Sequence, residues 1–175
     1  MGTLGQAIAD NGGLSVGFAE MLLKDIPAEQ TALLPRVGGQ VVQTNHPAFI
    51  LGHLSIYPKR IAALAGLGED FVPNPEGFED LFAAGKECVD DPEWKVYPRL
   101  DRITEHYFAG HRKLLAALPE VSDDALAQPH GMPSDFAKRF QTKAGLLGFY
   151  VGGHQMMHMG QISAWRRCMG MGRVF

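Results

Sequence analysis

The last third of this chain carries the tightest constraint on its fold. Leu147, Val151, His154, His158, Gln161 or Ile162, Trp165 and Met169 follow one another in alternating steps of four and three. That spacing keeps residues on one face of a long α-helix and is the seam pattern of packed helices. A stripe of this kind is stable only if other helices cover it, because isolated helices are marginal in water. Two of its members are histidines, so the fold must be helical around the seam and must also satisfy two polar rings inside it.

The rest of the chain supplies helices to do the covering. Leu4, Ile8, Ser15, Phe18 and Leu22 recur at helical spacing and predict a first helix over 4–23. Asn11, Gly12 and Gly13 weaken its middle; an interior glycine costs about 1 kcal/mol relative to alanine, so a bend or a close packing contact is expected there. Residues 25–45 hold Pro27, Pro35, Gly38 and Gly39 and read as a connection. Asn45 or His46 can cap a second helix, and Pro47 suits its first turn, where no intrahelical N–H is needed. Ile50, His53, Tyr57, Ile61 and Leu64 would line its inner face, with Pro58 kinking it or ending a first segment.

Residues 66–98 are rich in Gly, Pro, Asp and Glu and form a long connection with one short amphipathic piece over 78–84. A third helix is predicted over 99–118, with Ile103, Tyr107, Gly110, Leu114 and Leu118 on one face and Pro119 ending it. A further irregular stretch through Pro129 and Pro133 leads to the fourth helix. No strand-like alternation and no internal repeat is visible. The expectation is a single domain over residues 1–175, all-α, a four-helix bundle with long inter-helix connections.

Composition removes several function classes. The 16 Lys+Arg nearly balance the 19 Asp+Glu, and no run of like charge could track a phosphate backbone, so nucleic acid is not expected as a partner. Arg166, Arg167 and Arg173 sit where the last helix ends and are read as opposing its dipole. No stretch has the apolar length to span a bilayer and the start has no secretory pattern, so no membrane is expected and the cytoplasm is the default location. Cys88 and Cys168 lack a Cys-x-x-Cys partner and are read as reduced thiols.

Chemistry is concentrated in the histidines. His154 and His158 lie one turn apart on the same side of the last helix, near enough to share one ion. Left unpartnered in a core, each ring would cost about 1 to 3 kcal/mol, and one metal ion satisfies both. His53 occupies the inner face of the second helix beside Gly52, which leaves room for a close approach. Taken alone it is better read as a core histidine on a backbone carbonyl, but with the seam pair that preference reverses and it completes a facial set of three. His46 is assigned to capping, and surface positions suffice for His106, His111 and His130.

Gln161 lies three residues after His158 on the same face and suits either an amide that orients an imidazole or ligand, or one that joins helices. Tyr107 and Asn11, on the inner faces of the third and first helices, are candidates to reach the same cavity or simply to pack.

Two motifs resemble a known family. Phe49-Ile-Leu-Gly52-His53-Leu54 resembles its aromatic-x-x-Gly-His-Leu, and His154 to Ile162 resembles its His-x-x-x-His-x-Gly-Gln-Ile, with Trp165-Arg166-Arg167 following. The family is the DinB/YfiT-like superfamily of four-helix-bundle metalloproteins, which includes bacterial thiol S-transferases and thiol-dependent maleylpyruvate isomerases. The resemblance implies metal ligation by His53, His154 and His158, one divalent ion with zinc or nickel foremost, and a homodimer. It also implies a transferase that activates a low-molecular-weight thiol such as bacillithiol, mycothiol or glutathione for attack on an electrophile. Phe49 stands where members usually carry Trp. The competing reading is a non-catalytic bundle whose metal is structural, in a stress-response or partner-binding role; three ligands favour the enzyme, because structural zinc normally closes with four.

Overall fold

The computed structural model describes residues 2–174. Helix α1 spans Thr3–Leu23 and is followed by a hairpin of two-residue strands, β1 (Arg36–Val37) and β2 (Gln40–Val41). Helices α2 (Pro47–Ser55) and α3 (Tyr57–Ala65) together form the second rod, broken at Ile56 with Pro58 in the first turn of α3. The short α4 (Phe78–Phe82) precedes the third rod, α5 (Leu100–Ala117), and the one-turn α6 (Asp123–Leu126) comes next. The fourth rod is α7 (Lys143–Gly148), a π-helical turn over Phe149–Gly153, and α8 (His154–Cys168).

Packing runs in a closed ring, α1 on α5, α5 on α2, α2 on α8 and α8 on α1. The expected all-α bundle is therefore what forms, with one departure. The hairpin shows no alternation because its strands are two residues long; its signal in the sequence is the Gly38-Gly39 pair, whose φ of +59° and +82° makes a tight turn of the kind hairpins favour.

Every residue of α2 is buried, and α3, α4, α5 and α8 pack against it. Its start is fixed by His46, whose Nδ1 accepts the Phe49 N–H at 3.1 Å while its Nε2–H donates to the Val89 carbonyl at 3.0 Å. On α1 the weak middle turns out to be a close contact. A Cβ on Gly12 would stand 2.4 Å from Leu115 Cδ2, and one on Gly5 would stand 2.2 Å from the Leu118 carbonyl oxygen. Glycine lets α1 lie against α5 at less than the usual separation.

The ends of α1 are satisfied by distant side chains. Asp123 accepts from the N–H groups of Thr3 (3.1 Å) and Leu4 (2.9 Å), and buried Arg166 donates to the carbonyls of Leu22 (2.8 Å) and Lys24 (2.9 Å). An anion thus sits at the positive end of the helix and a cation at the negative end. This corrects the expectation for Arg166, which serves the end of α1 in addition to lying at the end of its own helix. The connection before α5 is also ordered: the Asp91 carboxylate accepts the backbone N–H groups of Lys95, Val96 and Tyr97 at 2.7, 2.9 and 2.8 Å.

Candidate metal centre

The bundle brings His53 from α2 and His154 and His158 from α8 into one buried group. One ring nitrogen from each lies within 4.8 Å of the other two, and each residue is 7 % exposed. The ring centroids are 5.4 Å (His53 to His154), 5.0 Å (His53 to His158) and 4.8 Å (His154 to His158) apart. Their order along the chain reflects the ring of helices, because α2 and α8 are direct neighbours.

Two of the three rings are held by hydrogen bonds on their far sides. His53 Nδ1–H donates to the Phe82 carbonyl at 2.7 Å, and His158 Nδ1–H donates to Gln161 Oε1 at 2.8 Å. Both bonds commit Nδ1 to the proton and leave the Nε2 lone pair facing the centre, the outer arrangement that metal-bound histidines require. His154 Nδ1 is buried without a hydrogen-bond partner; its ring is oriented instead by packing between Tyr57 (centroids 4.5 Å) and Phe149 (5.8 Å).

The electrostatics keep all three neutral. Burial pushes His154 down to about 3, helped by the neighbouring His158 and His53, and burial also lowers His53 and His158. Neutral imidazole is the ligating form. His154 Nε2 and His158 Nε2 stand 3.2 Å apart. If both lone pairs face inward they repel, and a cation between them removes the repulsion. Ligand atoms of a tetrahedral zinc site with about 2.0 to 2.1 Å bonds are separated by about 3.3 Å, so the seam pair fits such an ion.

Gly52 is what allows the His53 arrangement. A Cβ there would lie 2.4 Å from the ring of Phe82, a side chain that is itself fully buried. The close approach foreseen beside Gly52 is thus that of α4, whose last residue also supplies the carbonyl that holds His53. In front of the three rings opens a cleft of about 290 Å³, walled by Phe49, Tyr57 and Met157, by the turn over 83–85, and at its edge by Asn45 and Lys86.

The remaining expectations separate. Gln161 is at the site, bonded to His158. Tyr107 is fully buried behind it, its hydroxyl donating to Gln155 Oε1 at 2.5 Å, and it does not line the cleft. Asn11 is exposed on α1, and its amide lies beside the π-helical turn, 3.3 Å from where a Cβ on Gly152 would be. His111, expected at the surface, is fully buried. Its Nε2–H donates to the Leu54 carbonyl at 3.2 Å, and its Nδ1 accepts from Gln155 Nε2 at 3.2 Å. Tyr107, Gln155, His111 and Leu54 therefore form a polar strap from the residue after His154 to the residue after His53. The signal was present, since His111 is four residues after inward Tyr107 and Gln155 four after inward Val151. His106 and His130 are half-buried away from the cleft, the latter donating to the Phe140 carbonyl at 2.8 Å.

A family model described as the DinB superfamily matches residues 19–162 of the chain. No curated protein and no solved structure matches it. Among the described residues no helix is long and apolar enough to cross a membrane.

Proposed function

The chain belongs to the DinB superfamily, and from that membership we propose a metal-dependent transferase that activates a low-molecular-weight thiol for attack on an electrophile. The observation that carries the reading is the facial set itself: three neutral imidazoles, two of them fixed from behind, open on their front side to a cleft. A divalent ion held by three neutral ligands keeps its full charge and an open position, and so stabilises a bound thiolate, the nucleophilic form of a thiol. Phe82 and Gln161 keep the Nε2 lone pairs forward. Tyr57, with its ring 5.1 Å from His53 and 4.5 Å from His154, shields one side of the ligand set from water.

The thiol comes from outside the chain. Cys88 is buried, its sulfur accepts the His46 N–H at 3.5 Å, and burial pushes its thiol up to about 12, which leaves it inert at neutral pH. Neither Cys88 nor Cys168 lines the cleft. The metal is one divalent ion per chain, zinc or nickel foremost, and a homodimer remains part of the same proposal.

Metal analysis of the purified protein and of the His154→Ala and His158→Ala variants is the first test. About one ion per chain is expected in the parent and loss of most of it in each variant; full occupancy in both variants would sink the assignment. The second test offers bacillithiol, mycothiol, glutathione and cysteine with a generic electrophile, the metal-free protein serving as background. A rate above background and proton release on thiol addition support the transferase. The depth of the rings and their position between α2 and α8 favour a second reading, a structural clamp. It predicts a lower melting temperature for His53→Ala and no thiol response in a cobalt-loaded parent.

A further inference from the structure

The cleft in front of the histidines has a one-sided charge. Lys86 is the only charged residue among those that line it, and no carboxylate faces it among the described residues. Lys86 enters none of the ion pairs found there, whereas nearby Arg60 is neutralised by Glu79 at 2.7 Å. Its backbone is placed by a turn in which the Lys86 N–H donates to the Ala83 carbonyl at 3.1 Å and Gly85 takes a φ of +88°. The turn follows directly on α4, whose Phe82 carbonyl holds His53. Lys86 and the carbonyl that orients His53 are therefore carried by one short segment.

Part of the wall beside this charge is apolar. Phe49, Tyr57 and Met157 supply the apolar part of that wall, and a charge pair formed against it is screened less than one in open water. At about 290 Å³ the cleft admits only a small molecule. On the thiol reading proposed above, on which this inference rests, we infer that Lys86 selects the thiol by charge: the preferred ligand is a small thiol that carries a carboxylate, its sulfur at the histidine end of the cleft and its carboxylate on Lys86.

The experiment uses the full chain loaded with cobalt and follows the cobalt absorption as three thiols of similar length are added: 3-mercaptopropionate, 2-mercaptoethanol and cysteamine. Cobalt content is measured alongside, so that comparisons are made at equal loading. The quantity read is the ratio of affinities, mercaptopropionate over cysteamine, in the parent divided by the same ratio in Lys86→Glu; each thiol's own acidity cancels. Lys86 is exposed, so its replacement leaves the core untouched. The ratio is expected to fall by about three- to ten-fold in Lys86→Glu, the range of a partly exposed charge contact, by a smaller factor in Lys86→Gln, and to stay near the parent's in Lys86→Arg. Thiols that bind with an unchanged ratio in Lys86→Glu overturn the role of Lys86 and leave the transferase reading standing. A cobalt spectrum that no thiol alters overturns both.

Discussion

At the scale of single residues, the site is a matter of which nitrogen carries the proton. His158 presents Nε2 forward because Gln161 Oε1 accepts its Nδ1–H at 2.8 Å. Gln161→Leu would leave that N–H unpaired and the ring free to adopt the other tautomer. Metal affinity is expected to fall by about ten- to a hundred-fold, the usual effect of losing an outer partner of a metal-bound histidine. Competition with a chromophoric chelator measures it, and an affinity equal to the parent's would show that the amide only joins turns of α8. The three histidines were legible in the sequence as candidate ligands because their spacing puts them on inner helical faces. The Phe82 carbonyl was not, since a backbone acceptor has no residue type to recognise and lies 29 positions from His53.

Helices in this fold are finished by one another. The charged caps of α1, Asp123 and Arg166, lie 119 to 144 positions from the groups they satisfy, which is why no local capping pattern announced them. Arg166→Ala would strip two carbonyls of a buried, charge-assisted donor. It is expected to destabilise the protein by about 2 to 4 kcal/mol in chemical denaturation, and a change below about 1 kcal/mol would contradict the capping role. Gly52→Ala tests the seat of α4 on α2. Alanine favours the helix by about 1 kcal/mol, yet the added methyl has no room beside Phe82, so a net loss of about 1 to 3 kcal/mol is expected. Metal affinity should fall with it, because the carbonyl holding His53 shifts with α4; a variant with parent-like chelator competition would separate the two contacts. The break before α3 was readable from Pro58, a residue that cannot continue a helix interior.

For the molecule as a whole, burying neutral histidines ties stability to pH. His46 and His111 are both fully buried, and burial pushes each down to about 4 from the ordinary value of 6.5. The unfolded chain therefore takes up protons first as pH falls. The stability these two residues contribute is complete above about pH 6.5 and drains away toward pH 4, on the order of 3 kcal/mol for each. Urea midpoints of the metal-free protein at about pH 7.5, 5.5 and 4.5 should decline in that order, and a flat series would mean that the two rings accept protons without cost. One further consequence concerns chain length and not composition. The π-helical turn at Phe149–Gly153 holds a residue more than an α-helical path would use, so α8 is turned by about 100° from where an unbroken α-helix of the same residues would place it. Deleting one residue there would let the rod relax into an unbroken α-helix with α7 and α8 keeping the faces they now turn inward, because the lost residue and the lost bulge cancel. Straightening the turn without a deletion would instead swing either α7 or the stretch bearing His154 and His158 away from the interior.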